Sequence, residues 1–114
     1  MALLTLGIKQ TKLGNLIRGK VRVIKEYGLF IDTNELTVLL HISQVSQVKV
    51  TSQDLEKIFQ VDDEIKAIVI WMDKDKGRVA VSTKELEVEP GDMLKNPDLV
   101  YASAEIMAKR YRDR

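Results

Sequence analysis

From Gly19 to Ser43 the chain reads GKVRVIKEYGLFIDTNELTVLLHIS, short apolar-alternating runs broken by polar turns. A period of two is that of a strand with one covered face, so this stretch restricts the fold to an all-β arrangement. Lys20 and Arg22 point outward from a strand over about 17–26, and Val21 and Val23 point inward. Ile24 breaks the alternation and marks a bulge, the device by which barrels bend their strands. In Tyr27-Gly28-Leu29-Phe30, strict alternation would put the two rings on opposite faces. Gly28 permits a kink or bulge that turns both outward and leaves Leu29 and Ile31 inside. A second strand over about 28–33 ends in the polar turn Asp32-Thr33-Asn34-Glu35. A third, 37–42, places Leu40 and Ile42 on one parity and Leu39 and His41 on the other.

The second half continues the pattern. Between Ser43 and Gln60, Thr51 or Ser52 can cap a short helix, with Asp54 in its first turn. Leu55, Ile58 and Phe59 fall at helical spacing and are expected to plug one end of a barrel. A fourth strand, about 64–72, is apolar on both parities from Ala67 to Met72. Either both its faces are covered or one meets a partner. Trp71 then packs under the tail or forms an additional stacking platform. Asp73-Lys74-Asp75-Lys76-Gly77 is a turn signal before a fifth strand, 78–82, with Val79 and Val81 inside and Arg78 outside. From Lys84 the strand pattern stops. Asn96-Pro97-Asp98 is a helix start, with a cap, proline at the first position and an acid in the first turn. One helix within 97–112 is expected, with Val100, Ala104, Met107 and Tyr111 on one face. The expected fold is a five-stranded barrel followed by a C-terminal helical extension.

Composition narrows the chemistry. The 114 residues suit one domain with a modest core. Absence of cysteine excludes a disulfide framework and cysteine-ligated metal sites, and a single histidine excludes two-histidine sites. No phosphate-cradling glycine loop or nucleophile motif occurs, so no cofactor, no metal site and no enzymatic activity are expected. Asp62, Asp63 and Glu64 read as a solvated turn rather than a magnesium site, which needs converging carboxylates and substrate phosphates. No apolar run is long enough to span a bilayer, so no membrane contact is expected. Net charge is only +1, but residues 1–25 carry Lys9, Lys12, Arg18, Lys20, Arg22 and Lys25 and no acid. Residues 1–83 hold 12 basic and 10 acidic groups, a net of +2; the rest hold 6 and 7, a net of −1. A core position is the simpler account of either Tyr27 or Phe30 alone. As a pair beside basic strand positions and His41, they point to stacking of unpaired bases.

Gly19, Val21, Ile24, Tyr27-Gly28-Leu29-Phe30, Leu39-Leu40-His41-Ile42-Ser43, Val61 to Ala67 and Gly77-Arg78-Val79-Ala80-Val81-Ser82 together resemble an S1 RNA-binding domain. The tail, Leu86 to Leu94 with Leu99-Val100-Tyr101 and Ala104 to Ala108, is similar to that following the last such repeat of cyanobacterial and plastid ribosomal S1 proteins. The resemblance implies a barrel of the oligonucleotide-binding type over residues 15–84, a lead-in over 1–14 and a linker and helix over 85–114. The family's RNA face maps onto Tyr27, Phe30, His41, Asp73 and Arg78, with Lys20 and Arg22 as neighbouring cations. By residue type, Tyr27 and Phe30 would stack bases, His41 would stack or hydrogen-bond, Arg78 would meet phosphate or a base plane, and Asp73 would accept from a base or fix Arg78. The implied partners are single-stranded messenger RNA and the small ribosomal subunit, in the cytoplasm or plastid stroma. The alternative is a docking module that makes protein contacts through the tail helix or the Trp71 strand. Two departures stand out: Val38 and Asp62 occupy positions where the family usually has glycine.

Overall fold

The computed structural model describes residues 11–114; residues 1–10 of the expected lead-in lie outside them. The strands are β1 (Leu16–Lys25), β2 (Gly28–Asp32), β3 (Thr37–His41), β4 (Glu64–Asp73) and β5 (Arg78–Ser82). They close into a barrel in the order β1-β2-β3-β5-β4. All neighbours are antiparallel except β3 and β5. That parallel pair follows from the crossover between β3 and β4, which carries α1 (Ser52–Ile58). Closure is achieved by β1, which pairs through Leu16–Lys20 with β4 and through Lys20–Lys25 with β2. Gly19 lies at this bend. A Cβ there would come within 2.6 Å of the Asp32 carbonyl oxygen and of Ile31 Cγ2, so the strands approach too closely for any side chain.

Inward parity supplies the core: Val21, Leu29, Ile31, Val38, Leu40, Ala67, Val69, Val79 and Val81 are buried. Val38 therefore fills the barrel interior and crowds no outer surface. Leu55 and Phe59 from the α1 segment are buried in the common core, and Ile58 packs against the same cluster. Thr51 caps α1 by accepting from Asp54 N–H at 3.2 Å, and Asp54 accepts from Thr51 N–H at 2.9 Å. These hydrogen bonds, backbone first, hold the Asp54 carboxyl below its ordinary value. At the turn into β4, Asp62 adopts φ 75°, the left-handed region that favours the glycine the family has there.

Two β-bulges set which side chains face out. In β1, Val21 pairs with Ile31 but Val23 pairs with Phe30, so Arg22 is the extra residue. The bulge thus precedes the position that Ile24 suggested. Val23 turns outward beside Phe30, contrary to the expected inward position, and Ile24 turns in beside Leu29. In β4, Val69 pairs with Val81 and Trp71 with Ala80, which makes Ile70 the extra residue. Without that insertion Trp71 would share Val69's inward parity; with it, Met72 packs on the core and Trp71 points away.

The tail is three helices rather than one: α2 (Asp92–Lys95), α3 (Pro97–Ala102) and α4 (Ala104–Arg112), with a break at Ser103. Asn96 precedes Pro97 as expected, but its side chain makes no capping hydrogen bond. Leu86, Met93, Val100, Ala104 and Ala108 join the barrel core in one cluster, so the stripe docks on its own barrel. This covers the outer side of β4 at Ile68, which is fully buried, while Lys66 Nζ donates to the Tyr101 carbonyl at 3.2 Å. Glu87 ties tail to barrel. Its buried carboxylate accepts from Ser46 Oγ and Gln47 N–H, both at 2.7 Å, and from Met93 N–H at 2.9 Å. Trp71 is not under the tail: half of its surface, 50%, is exposed. No helix among the described residues is long and apolar enough to cross a membrane.

Candidate nucleic-acid interface

Directly paired residues of adjacent strands share a face. Following the register from β1 gives one row across the barrel's outer surface: Val23, Phe30, Leu39, Ala80, Trp71. None of the five belongs to the core or packs against it. The row is therefore an apolar outer stripe built by the two bulges at its ends.

Tyr27 lies outside strand parity altogether, in the tight turn between β1 and β2. Its carbonyl accepts from Ile42 N–H at 2.8 Å, which fixes the turn against the end of β3. This turn, rather than a kink within β2, is what brings its ring to Phe30. The two centroids are 6.3 Å apart with planes at 84°, an edge-to-face pair, and Tyr27 is 47% exposed. Gly28 has φ 150°, and any Cβ there would collide with the Leu40 carbonyl. Gly28 is itself buried and pairs with His41, so the lack of a side chain there lets β2 and β3 approach closely and brings the imidazole beside the aromatic pair.

His41 is exposed and locally oriented. Ser43 N–H donates to Nδ1 at 3.1 Å, and Ser43 Oγ lies 2.8 Å from the same atom. A nitrogen that accepts from a backbone N–H carries a lone pair, so in the neutral ring the proton sits on Nε2, leaving an outward donor.

Asp73 and Arg78 face each other across the β4–β5 ladder. Asp73 Oδ1 accepts from Lys76 N–H at 3.2 Å and so holds the turn. Among the described residues no carboxylate lies within 4.0 Å of the Arg78 guanidinium, which leaves it available. Lys20 and Arg22 project from the outer surface of β1, where Lys20 pairs with Asp32 and Arg22 is the bulged residue. Arg22 Nη1 is 3.9 Å from Asp32 Oδ1, while Thr37 Oγ1 donates to the same oxygen at 2.6 Å. Both cations line an open cleft of about 790 Å³ with Arg18, Lys66, Glu64 and Tyr101. Burial, with Asp63 and Asp98 nearby, pushes the Tyr101 phenol well up, so it is a neutral hydroxyl.

The structure thus gathers Tyr27, Phe30 and His41 at one place and Asp73 with Arg78 at a second, while Lys20 and Arg22 border a cleft at a third. Sequence reasoning put Leu39 on the parity of His41 but missed Val23 as an outer-row member, because its parity could be read only once the Arg22 bulge was known.

The family model described as S1 RNA binding domain matches residues 10–84. The small ribosomal subunit protein bS1 of Synechococcus is 42% identical over 113 residues, 99% of this chain and 36% of that protein. The spinach protein bS1c is 42% identical over 105 residues, 92% of this chain and 25% of that protein. Among solved structures, that of GSP13 from Bacillus subtilis superposes with a TM-score of 0.58 at 31% identity, over 64% of this chain and 55% of that one. The chain thus spans about a third or less of the length of these curated relatives.

Proposed function

The chain belongs to the S1 RNA-binding domain family, and we propose that it binds single-stranded RNA with little sequence preference, as a non-catalytic part of a small-subunit ribosomal protein. The observation that carries this reading is the Tyr27–Phe30 edge-to-face pair outside the core, with His41 brought beside it by its pairing with Gly28. Aromatic faces stack any base, so such a platform holds unpaired RNA without reading its sequence. In this reading Arg78, Lys20 and Arg22 meet phosphates, His41 Nε2 donates to a phosphate or base edge, and Asp73 shapes the turn that presents Arg78. Residues 15–84 make the RNA contacts and 85–114 brace the barrel. The names of the relatives support a place at the small ribosomal subunit; in this reading the RNA is messenger RNA and the compartment a cyanobacterial cytoplasm or a plastid stroma.

The test is binding to three partners in parallel: a short unstructured RNA, a duplex of the same length and isolated small subunits. The single strand should bind, the duplex should bind more weakly, and Phe30→Ala should weaken the single-strand complex. Binding to subunits with none to RNA would favour the docking alternative. In that case Leu99 and Ile106, exposed on the outer side of the tail helices, are the first residues to test.

A further inference from the structure

We propose that Trp71 is a second base-stacking platform, so that a bound strand crosses the barrel from the Tyr27–Phe30 pair to Trp71. This rests on the RNA-binding reading and adds a contact on a different strand. The outer row runs without interruption from Phe30 on β2, through Leu39 on β3 and Ala80 on β5, to Trp71 on β4. Three strand spacings of about 4.8 Å separate the two platforms by roughly 14 Å of path around the closed barrel, whose curved wall the bound strand follows. Leu39 is half-buried, and Ala80 has only a methyl group, so the path between the platforms has low relief.

The local backbone is arranged for this outward position. The Ile70 bulge interrupts the β4–β5 ladder and reverses parity at the next residue. An unbroken strand would have directed the indole into the barrel; this one directs Met72 inward instead. A cation stands beside the indole. Arg78 is two residues from Ala80 on β5, which makes it the diagonal neighbour of Trp71, about 7–8 Å away between Cα atoms. A planar aromatic surface next to an unpaired guanidinium suits a base and its phosphate, whereas a purely apolar protein contact would leave that charge without a partner.

Trp71 is the sole tryptophan, so its emission reports its own surroundings. The probe is an oligouridylate of about 12 nucleotides, within the span of such barrels. Its anisotropy and the protein's emission are followed in one titration of the full chain. The expected result is saturable quenching with the same midpoint as the anisotropy change. Trp71→Ala should weaken binding about tenfold, with Trp71→Phe falling in between. Because the side chain lies outside the core, both variants should melt like the parent. An oligomer of ~4 nucleotides, at the lower end of that span, should still depend on Phe30 but lose its dependence on Trp71. Undiminished RNA binding by Trp71→Ala, with parent emission unaffected by RNA, overturns the inference and leaves the RNA-binding reading standing. No anisotropy change with any RNA overturns both. A loss of small-subunit binding by Trp71→Ala, with RNA affinity intact, replaces the base with a protein partner.

Discussion

Replacing Glu87 with alanine removes the acceptor of three hydrogen bonds at once, from Ser46 Oγ, Gln47 N–H and Met93 N–H. Glu87 is 2% exposed and Ser46 5%, so solvent reaches Ser46 Oγ and the Met93 N–H poorly, and the part-buried Gln47 N–H more readily. Each unmet buried donor costs about 1–3 kcal/mol, and water entering the new space recovers part of it. A net loss of about 3–5 kcal/mol is expected, the range for breaking a buried polar network. Small domains have roughly 5–15 kcal/mol in total. At about 3–6 °C per kcal/mol for this size, the melting temperature should fall by roughly 10–25 °C. Glu87→Gln retains one acceptor oxygen but turns an NH₂ toward a donor, so its loss should be intermediate. Thermal and urea melts by circular dichroism on parent and both variants measure this. A loss below ~1 kcal/mol in Glu87→Ala would refute the claim that this carboxylate clamps tail to barrel. The same clamp, with Leu86, Met93, Val100, Ala104 and Ala108 in the common core, implies that cutting the chain after Lys84 destabilises the barrel itself.

Tyr27→Ala and Phe30→Ala should each weaken RNA binding by about tenfold, from ~1–3 kcal/mol of stacking per base, while melting close to the parent. Large melting losses in both would place the rings in the core and remove the stacking platform. If Lys20, Arg22 and Arg78 each meet a phosphate, log affinity against log salt should slope at about −2, at ~0.7 per contact; a flat response removes those contacts. Asp62→Gly relieves a left-handed φ and should leave stability unchanged or raise it by up to ~1 kcal/mol in urea melts, whereas a β-branched residue there should lower it. The folded pKa of Asp54 is lowered from 3.8, so its capping contribution is present above the ordinary carboxylate range and lost as pH falls through the lowered value. An NMR titration of the Thr51 amide should have its midpoint below 3.8.

Much of the barrel was legible along the chain because strand periodicity is a local property. Alternation at Val21, Leu29, Ile31, Val79 and Val81 separates inside from outside before any partner strand is known. The same holds for the Thr51–Asp54 cap, where both partners are three residues apart. The aromatic pair was readable because turn and strand bring Tyr27 and Phe30 together within four residues.

Other features depend on what lies across a ladder or across the fold. The outward turn of Val23 follows from one unpaired residue, Arg22, and that slip exists only relative to Ile31 and Phe30 on β2. Trp71 changes face in the same way, through Ile70 against Val81 and Ala80. Nothing nearby distinguishes Glu87 from Glu85 or Glu89; only the convergence of Ser46, Gln47 and Met93 buries the middle one. Periodicity, turns and caps are set by neighbours in the chain, so the sequence by itself determined the strands, the first helix and the aromatic pair. Parity after a bulge and the burial of a charge are set by residues as many as 41 positions away, so only the closed barrel decided where Val23, Trp71 and Glu87 point.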